Sequence, residues 1–405
     1  MAGPKSTTLL PVAGPITGAE KVALVQNGQD VQSTLLAIMH VSPPLPIRGM
    51  YTSILVDSGS GITHTQIQNE VNAIAAAGFN TVFLGLNPNN NGVAWPNPSF
   101  DGYQAMSDPT VTYPAFDAVA DYLTKGQAVG LKVHAWFQGM NGGLIRQEFA
   151  PTGTPSNCYN HHFSGYRNYC CAAIREALAR YPQFDGVHLA EYYNVTDIWG
   201  LGSGSGPWIN EYYQDTGRNT YATDYTGYHT NGQIGSATYS QMGVWIWAHQ
   251  EAFLRQLVAT IRDADQTTLH RPISWFGSAK DYQYTTGERM QQWVNSGLID
   301  FMVDSQYGDT IVPGDVVLSV YGGTDSNGAL LPALTDPTRA SLAINLYLDS
   351  VARALTGAEV TTKLTALYGA APTSGVSAFI YAQNPGNVWL TAGQIAAFAA
   401  WFSAH

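Results

Sequence analysis

The fold class is decided by residues 61–88, GITHTQIQNEVNAIAAAGFNTVFLGLNP. In the first half, Ile67, Val71 and Ile74 recur at helical spacing, and Gly78 is a typical helix stop. The NTVFLGL that follows is a short apolar run of the kind that forms a buried strand. The stretch therefore predicts a helix followed directly by a strand.

The same alternation of apolar runs and amphipathic stretches extends from residue 47 to the end of the chain. The predicted strands are RGMYTSILV (48–56), NTVFLGL (80–86), LKVHAWF (131–137), DGVHLAE (185–191), PISWFG (272–277), IDFMVD (299–304), VVLSVYG (316–322) and SAFIYA (377–382). The predicted helical stretches are 64–77, 114–129, 165–180, 238–263, 286–296, 337–355 and 391–403. This order predicts an α/β fold, a closed parallel (β/α)8 TIM barrel. An open doubly wound sheet is the alternative, but no Gly-rich phosphate loop follows the first strand.

Composition limits the classes of function. The net charge of −11 argues against nucleic-acid binding, because phosphate recognition needs a cationic surface. Charged residues make up only 12% of the chain, which suits uncharged ligands such as sugars. No apolar run is long enough to predict a membrane span, and the first residues lack the pattern of a signal peptide.

Cysteine and histidine spacing predicts neither a disulfide framework nor a metal site. Cys158, His161, His162, Cys170 and Cys171 lie close together in the sequence, but their spacing fits no standard zinc pattern. We therefore predict no metal and no cofactor.

Residues 1–44 form a separate segment, and the barrel is predicted over 45–405. The segment reads as short β-rich runs broken by turns, and the Pro-rich SPPLP (42–46) follows as a stiff linker. It is too small for its own core and is expected to pair with copies of itself or with a neighbouring protein. An ordinary disordered arm is the alternative.

The string PVAGPITGAEKVALVQNGQDVQSTLLAI (11–38) resembles the N-terminal segment of many tailed-phage tail-fibre and other virion proteins. The resemblance implies attachment to other virion proteins and a location on the surface of a phage particle, acting outside the host cell. Because fibres and spikes are commonly trimeric, we also expect a homotrimer.

Six blocks occur in order between residues 47 and 310: IRGMYTS, AAGFNTVFLGLNP with AWP, GLKVHAWFQ, FDGVHLAEYY, ISWFG and LIDFMVDSQY. Together they resemble the "family 10-like" glycosyl hydrolase barrels of bacteria. The resemblance implies a (β/α)8 fold and hydrolysis of a glycosidic bond. Beyond residue 310 the chain resembles that family only in pattern.

Glycoside hydrolysis needs two carboxyl groups that flank the scissile bond. Glu191 ends the fourth predicted strand and Asp304 ends the sixth, so both are expected at the carboxyl end of the barrel, where active sites form. We predict them as the catalytic pair. The alternatives are structural: Glu191 pairs with an arginine at the rim, or Asp304 caps the next turn.

The sequence departs from the family pattern at two places. After DGxH the family usually carries two consecutive acids, whereas this chain has Ala190 and Glu191. Where the family often has Pro-Gln-x-Tyr, this chain has Asp304, Ser305, Gln306 and Tyr307. The missing acid implies a shifted mechanism, a different substrate or a barrel that only binds.

Aromatic rings near the strand ends are candidates for sugar contacts, because they stack on sugars. Trp136 either stacks in this way or fills the barrel, and His134 either hydrogen-bonds a sugar or a catalytic carboxylate or is a core residue. The predicted substrate-binding residues are His134, Trp136, Tyr192, Tyr193, Tyr307 and Trp275.

Two functions remain open at this point. The first is a phage tail-fibre or spike-like appendage that binds bacterial surface polysaccharide for host attachment and hydrolyses it as a depolymerase. The second is a structural or carbohydrate-binding virion protein whose barrel has lost activity. The Ala190 departure keeps the second function open.

Overall fold

The structure is a computed structural model. It describes residues 21–26, 29–34, 46–53, 62–86, 99–100, 103–104, 116–138, 164–190, 207–220, 223–224, 237–265, 270–277, 289–306, 308–324, 330–348, 353–379 and 390–405. Near the amino end, β1 (Lys21–Gln26) pairs antiparallel with β2 (Gln29–Thr34). Asn-Gly, the dipeptide between them, is typical of tight hairpin turns. The β-rich prediction is confirmed for these strands.

The main fold is a closed barrel of eight parallel strands. The barrel strands are β3 (Arg48–Ser53), β4 (Thr81–Gly85), β7 (Lys132–Gln138), β8 (Gly186–Ala190), β9 (Ile273–Gly277), β10 (Phe301–Gln306), β13 (Ala340–Asn345) and β16 (Gly375–Phe379). Each pairs with the next barrel strand along the chain, and β16 closes on β3. The predicted TIM barrel is therefore confirmed.

Helices and small hairpins surround the barrel. The helices are α1 (His64–Ala76), α2 (Ala118–Ala128), α3 (Ser164–Arg180), α4 (Pro207–Thr216), α5 (Ala237–Ala264), α6 (Met290–Asn295), α7 (Pro313–Tyr321), α8 (Gly357–Ala370) and α9 (Ala392–Ala404). The hairpins pair β5 (Ser99–Phe100) with β6 (Tyr103–Gln104), β11 (Gly323–Thr324) with β12 (Leu330–Leu331), and β14 (Tyr347–Leu348) with β15 (Arg353–Ala354). A short 3-10 helix spans Pro337–Arg339. Within the described residues, no helix is both long enough and apolar enough to cross a membrane.

The seventh strand was predicted in the wrong place. Residues 316–321 belong to α7, whereas the barrel strand is β13, inside the stretch predicted as a helix over 337–355. Pro313 occupies the first turn of α7, and Gly322 ends it with a positive φ of 68°. All six residues of β13 are buried, so its sequence shows no alternation of apolar and polar residues.

The barrel separates two apolar cores. The outer core lies between the strands and the helices and includes Met50, Val82 and Met302. The inner core fills the barrel, and its members are Ile47, Tyr51, Phe83, Trp136, Ala190, Phe276, Phe301, Val303 and Ala343, with Phe379 packed against them. Successive side chains of a strand point to opposite faces, so neighbouring residues alternate between the two cores.

A buried carboxyl group lies in the outer layer beside β3. Glu70 of α1 is only 6% exposed and accepts a hydrogen bond from Thr52 Oγ1. Its second oxygen, Oε2, has no hydrogen-bond partner in the described part of the chain, and neither has the buried hydroxyl of Tyr122 on α2. Burial raises the pKa of Glu70 to about 8, so this side chain is mostly protonated at neutral pH.

Candidate active site

The upper interior of the barrel is an aromatic cluster centred on Tyr51. The Tyr51 ring centroid lies 4.7 Å from that of Phe83, 5.1 Å from that of Trp136, and 5.5 Å from those of Phe276 and Phe379. These residues come from five strands spread through the sequence. The parallel strands bring them together because all five share the inward face. Sequence reasoning identified only Trp136 of this cluster.

A hydrogen-bonded chain fixes the Tyr51 ring from below. The Tyr51 hydroxyl lies 2.7 Å from Nε2 of His188, and Nδ1 of the same imidazole lies 2.7 Å from Ser274 Oγ. His188 is fully buried, and burial lowers its pKa well below the usual range, so it is neutral. A neutral imidazole donates through one nitrogen and accepts through the other, which lets it link the two hydroxyls.

His134 lies deeper in the barrel than Trp136, two residues earlier on β7. It is 2% exposed, and its Nδ1 has no hydrogen-bond partner among the described residues. Burial is the main cause that lowers the pKa of His134 to about 4, so the ring is uncharged at neutral pH. The structure places His134 in the barrel core, where its ring packs against Phe83 and Phe301.

Gly186 makes room for the His134 ring. A Cβ atom on Gly186 would lie 2.5 Å from the His134 ring. Gly186→Ala is therefore expected to lower the free energy of unfolding by about 1–3 kcal/mol, as overpacking does. Urea unfolding of the variant measures the loss. In a His134→Ala background the same change should cost less than half as much, and an equal cost in both backgrounds would contradict this contact.

Trp136 is the predicted sugar-binding residue that the structure places in the aromatic cluster. It is 6% exposed, and its ring stands at 80° to both Tyr51 and Phe379. The strand ends two residues later at Gln138, so Trp136 lies close to the carboxyl end of the barrel.

Asp304 does not share the barrel interior with this cluster. Val303 belongs to the inner core and Met302 to the outer core, so the alternation of β10 turns Asp304 outward, toward the helices. Asp304 is fully buried, and its Oδ2 accepts a hydrogen bond of 2.6 Å from Gln306 Nε2. The structure therefore places Asp304 behind the barrel wall and away from Tyr51.

Trp275 also lies outside the barrel interior. It is fully buried in the outer core, where its ring packs at 5.1 Å against Trp293 of α6. Its neighbour Phe276 is the inward-facing residue of β9. The structure does not bring Trp275 together with the other predicted sugar contacts.

The remaining predicted residues lie outside the described part of the chain. Ala190, the last residue of β8, belongs to the inner core, and Glu191 follows it directly. The predicted residues outside the described ranges are Glu191, Tyr192, Tyr193 and Tyr307.

The described lining of the upper barrel is uncharged. The side chains around Tyr51 are aromatic, and burial keeps the neighbouring His188 neutral by lowering its pKa. Among the described residues, no group of three or more histidine, cysteine or acidic side chains is arranged to hold a metal ion. Cys170 and Cys171 are buried in the outer core.

Several solved structures are similar to this chain. The glycoside hydrolase domain of PgaB (BpsB) from Bordetella bronchiseptica matches with a TM-score of 0.58 and 11% identity, covering 84% of this chain and 95% of that one. The catalytic domain of β-amylase from Paenibacillus polymyxa matches with a TM-score of 0.49 and 11% identity, covering 88% of this chain and 98% of that one. A putative α-L-fucosidase from Bacteroides thetaiotaomicron VPI-5482 matches with a TM-score of 0.47 and 12% identity, covering 91% of this chain and 98% of that one.

Sequence comparison identifies no family. No protein-family model matches the chain, and no curated protein matches it. The molecule is thus a TIM barrel, and the glycoside hydrolase domain of PgaB shares this fold. At 11% identity the PgaB likeness concerns the fold alone.

Proposed function

We propose that the carboxyl end of this barrel binds a bacterial surface glycan and hydrolyses its glycosidic bonds. The observation that carries the proposal is the uncharged aromatic cluster around Tyr51, in a barrel of the glycoside hydrolase type. Active sites of TIM barrels form at this end, and aromatic rings pack well against the apolar faces of sugars.

Glu191 is the acid that we propose for catalysis. It directly follows Ala190, the last residue of β8, and the active sites of TIM barrels form at the carboxyl ends of the strands. Asp304 is the other member of the predicted pair, and on β10 it points toward the helices. Glu191 and Asp304 can therefore be tested against each other.

A barrel that binds glycan without hydrolysing it is the second candidate. It is favoured by Ala190, which occupies an inward-facing position where the resembled family usually carries an acid. The outward position of Asp304 favours it as well, because a carboxyl group behind the barrel wall cannot reach a bond inside the barrel.

One experiment separates the two candidates. Purified protein is incubated with capsular polysaccharide and with lipopolysaccharide, and new reducing ends are assayed while binding is followed by calorimetry. Reducing ends that accumulate with time support hydrolysis, and binding without them supports the second candidate. Neither binding nor cleavage with any preparation would reject both.

We further propose that the protein is an appendage of a phage particle that contributes to host attachment. The support is the sequence of residues 11–38 and its resemblance to virion attachment segments. In this proposal, residues 1–44 bind other virion proteins and hold a homotrimer together. Three barrels would then engage a polysaccharide at once and gain affinity through avidity.

A protein that starts at residue 45 is expected to keep the fold of the barrel and lose trimer formation. β1 and β2 form a two-stranded sheet separate from the barrel, and such a hairpin is marginally stable without a partner. Circular dichroism and light scattering on both lengths test this expectation. A full-length monomer at micromolar concentration would reject the trimer, and an unfolded shorter protein would reject the domain boundary.

A further inference from the structure

The indole N–H of Trp136 is a buried donor without an acceptor. Nε1 is inaccessible to solvent, and no acceptor within the described ranges lies within hydrogen-bonding distance of it. Trp136 is 6% exposed and sits on the inward face of β7, near the carboxyl end of the barrel. The free donor therefore lies in the aromatic cluster around Tyr51.

Such a donor needs an explanation, because buried polar groups are normally hydrogen-bonded. Phenylalanine fills a similar space without the N–H, and β4, β9 and β16 carry phenylalanine in the same cluster, as Phe83, Phe276 and Phe379. Tyr51, the cluster's other polar ring, has its hydroxyl paired with His188. Trp136 is thus the ring of this cluster whose polar atom is left for a ligand.

We propose that Trp136 Nε1–H is the hydrogen-bond donor that selects an uncharged sugar unit in the barrel, and that a hydroxyl or N-acetyl oxygen of the glycan accepts this hydrogen bond. This inference rests on the proposed glycan-binding function and names both a specificity-determining residue and a substrate class.

The surroundings of Trp136 favour an uncharged acceptor. Its described neighbours Tyr51, Phe379 and His188 carry no positive charge that would compensate the desolvation of a carboxylate or sulfate. A hydroxyl or amide oxygen is much less costly to desolvate, and one N–H donor is enough to satisfy it. A uronic acid unit would be disfavoured at the same place.

Trp293 provides a matched control. It is also almost fully buried, and its Nε1 also has no acceptor in the described part of the chain, but it lies in the outer core on α6. Trp293→Phe and Trp136→Phe therefore remove the same kind of group from two places, only one of which faces the barrel interior.

The experiment uses full-length protein labelled with ¹⁵N at the tryptophan indoles. The Trp136 signal is assigned from the Trp136→Phe spectrum, and malto-, cello-, manno-, xylo- and chitohexaose are titrated in turn. We expect at least one hexasaccharide to bind and to move the Trp136 N–H signal downfield, as a new hydrogen bond does. Trp136→Phe should raise the Kd of that hexasaccharide about tenfold, the value of one net hydrogen bond, while Trp293→Phe leaves it unchanged.

The outcomes separate this inference from the proposed function. If a hexasaccharide binds but neither the Trp136 signal nor the Kd of Trp136→Phe changes, the role of Trp136 is rejected and glycan binding stands. If no hexasaccharide binds to the wild-type protein, the uncharged substrate class is rejected, and the reducing-end assay on polysaccharides decides the proposed function separately. Thermal unfolding of both variants verifies that they are folded, and the ¹⁵N titration of the wild type does not depend on either variant.

Discussion

Glu191→Gln is expected to abolish glycan hydrolysis while leaving glycan binding intact. A glutamine has nearly the same shape as the glutamate but can neither donate a proton to the leaving group nor attack the sugar. Loss of such a group lowers kcat by about a hundredfold to ten-thousandfold. The rate of reducing-end release by the variant and by the wild type, at equal protein concentration, measures the effect.

Asp304→Asn is the control for this experiment. Because Asp304 points away from the barrel interior and is fully buried, its replacement is expected to lower the free energy of unfolding and leave kcat unchanged per folded molecule. A loss of turnover in Asp304→Asn equal to that in Glu191→Gln would restore the predicted catalytic pair. Full turnover in Glu191→Gln would remove Glu191 from the mechanism.

The helices and strands could be predicted where the spacing of apolar residues differs between the two kinds of element. In residues 61–88 the helix and the strand lie where the pattern placed them, because α1 buries Ile67, Val71 and Ile74 on one side. The pattern failed around β13, since a run buried on both faces looks alike in a strand and in a short helix. Pro313 and Gly322, which bound α7, were the signals that would have corrected it.

The site was less predictable, because its contacts join residues far apart in the sequence. Trp136, predicted to stack on a sugar or to fill the barrel, does face the interior. PISWFG, however, is apolar on both faces, so the sequence did not reveal that Phe276 and not Trp275 faces the barrel. The chain from Tyr51 through His188 to Ser274 links three strands. Such a link follows from the closure of the barrel and carries no local signature.

The second large effect concerns stability and its dependence on pH. Glu70→Gln is expected to stabilise the protein increasingly as the pH rises above about 5. The neutral carboxyl group fits its buried site beside Thr52, whereas the ionised form is desolvated there and its Oε2 has no hydrogen-bond partner among the described residues. Glutamine keeps an acceptor for Thr52 and does not ionise.

The direction of this pH dependence follows from the pKa of Glu70 in the unfolded chain and its pKa in the folded protein. In the unfolded chain Glu70 loses its proton near pH 4.5, but in the folded protein burial holds the pKa at about 8. The stability that the protonated group contributes is therefore complete below about pH 4.5 and is lost as the pH rises toward 8. Above about pH 8, the free energy of unfolding of Glu70→Gln is expected to exceed that of the wild type by about 5 kcal/mol.

Urea unfolding of both proteins at pH 5, 7 and 9 measures this difference. The buried histidines His134 and His188 titrate identically in the two proteins, so their contributions cancel in the comparison. Glu359→Gln is the matched control, because hydrogen bonds from Arg353 and Thr356 lower the pKa of that exposed glutamate to about 2. The change in the free energy of unfolding caused by Glu359→Gln should be the same from pH 5 to pH 9, since Glu359 is ionised throughout. A Glu70→Gln effect that is equally independent of pH would mean that Glu70 is already ionised in the folded protein.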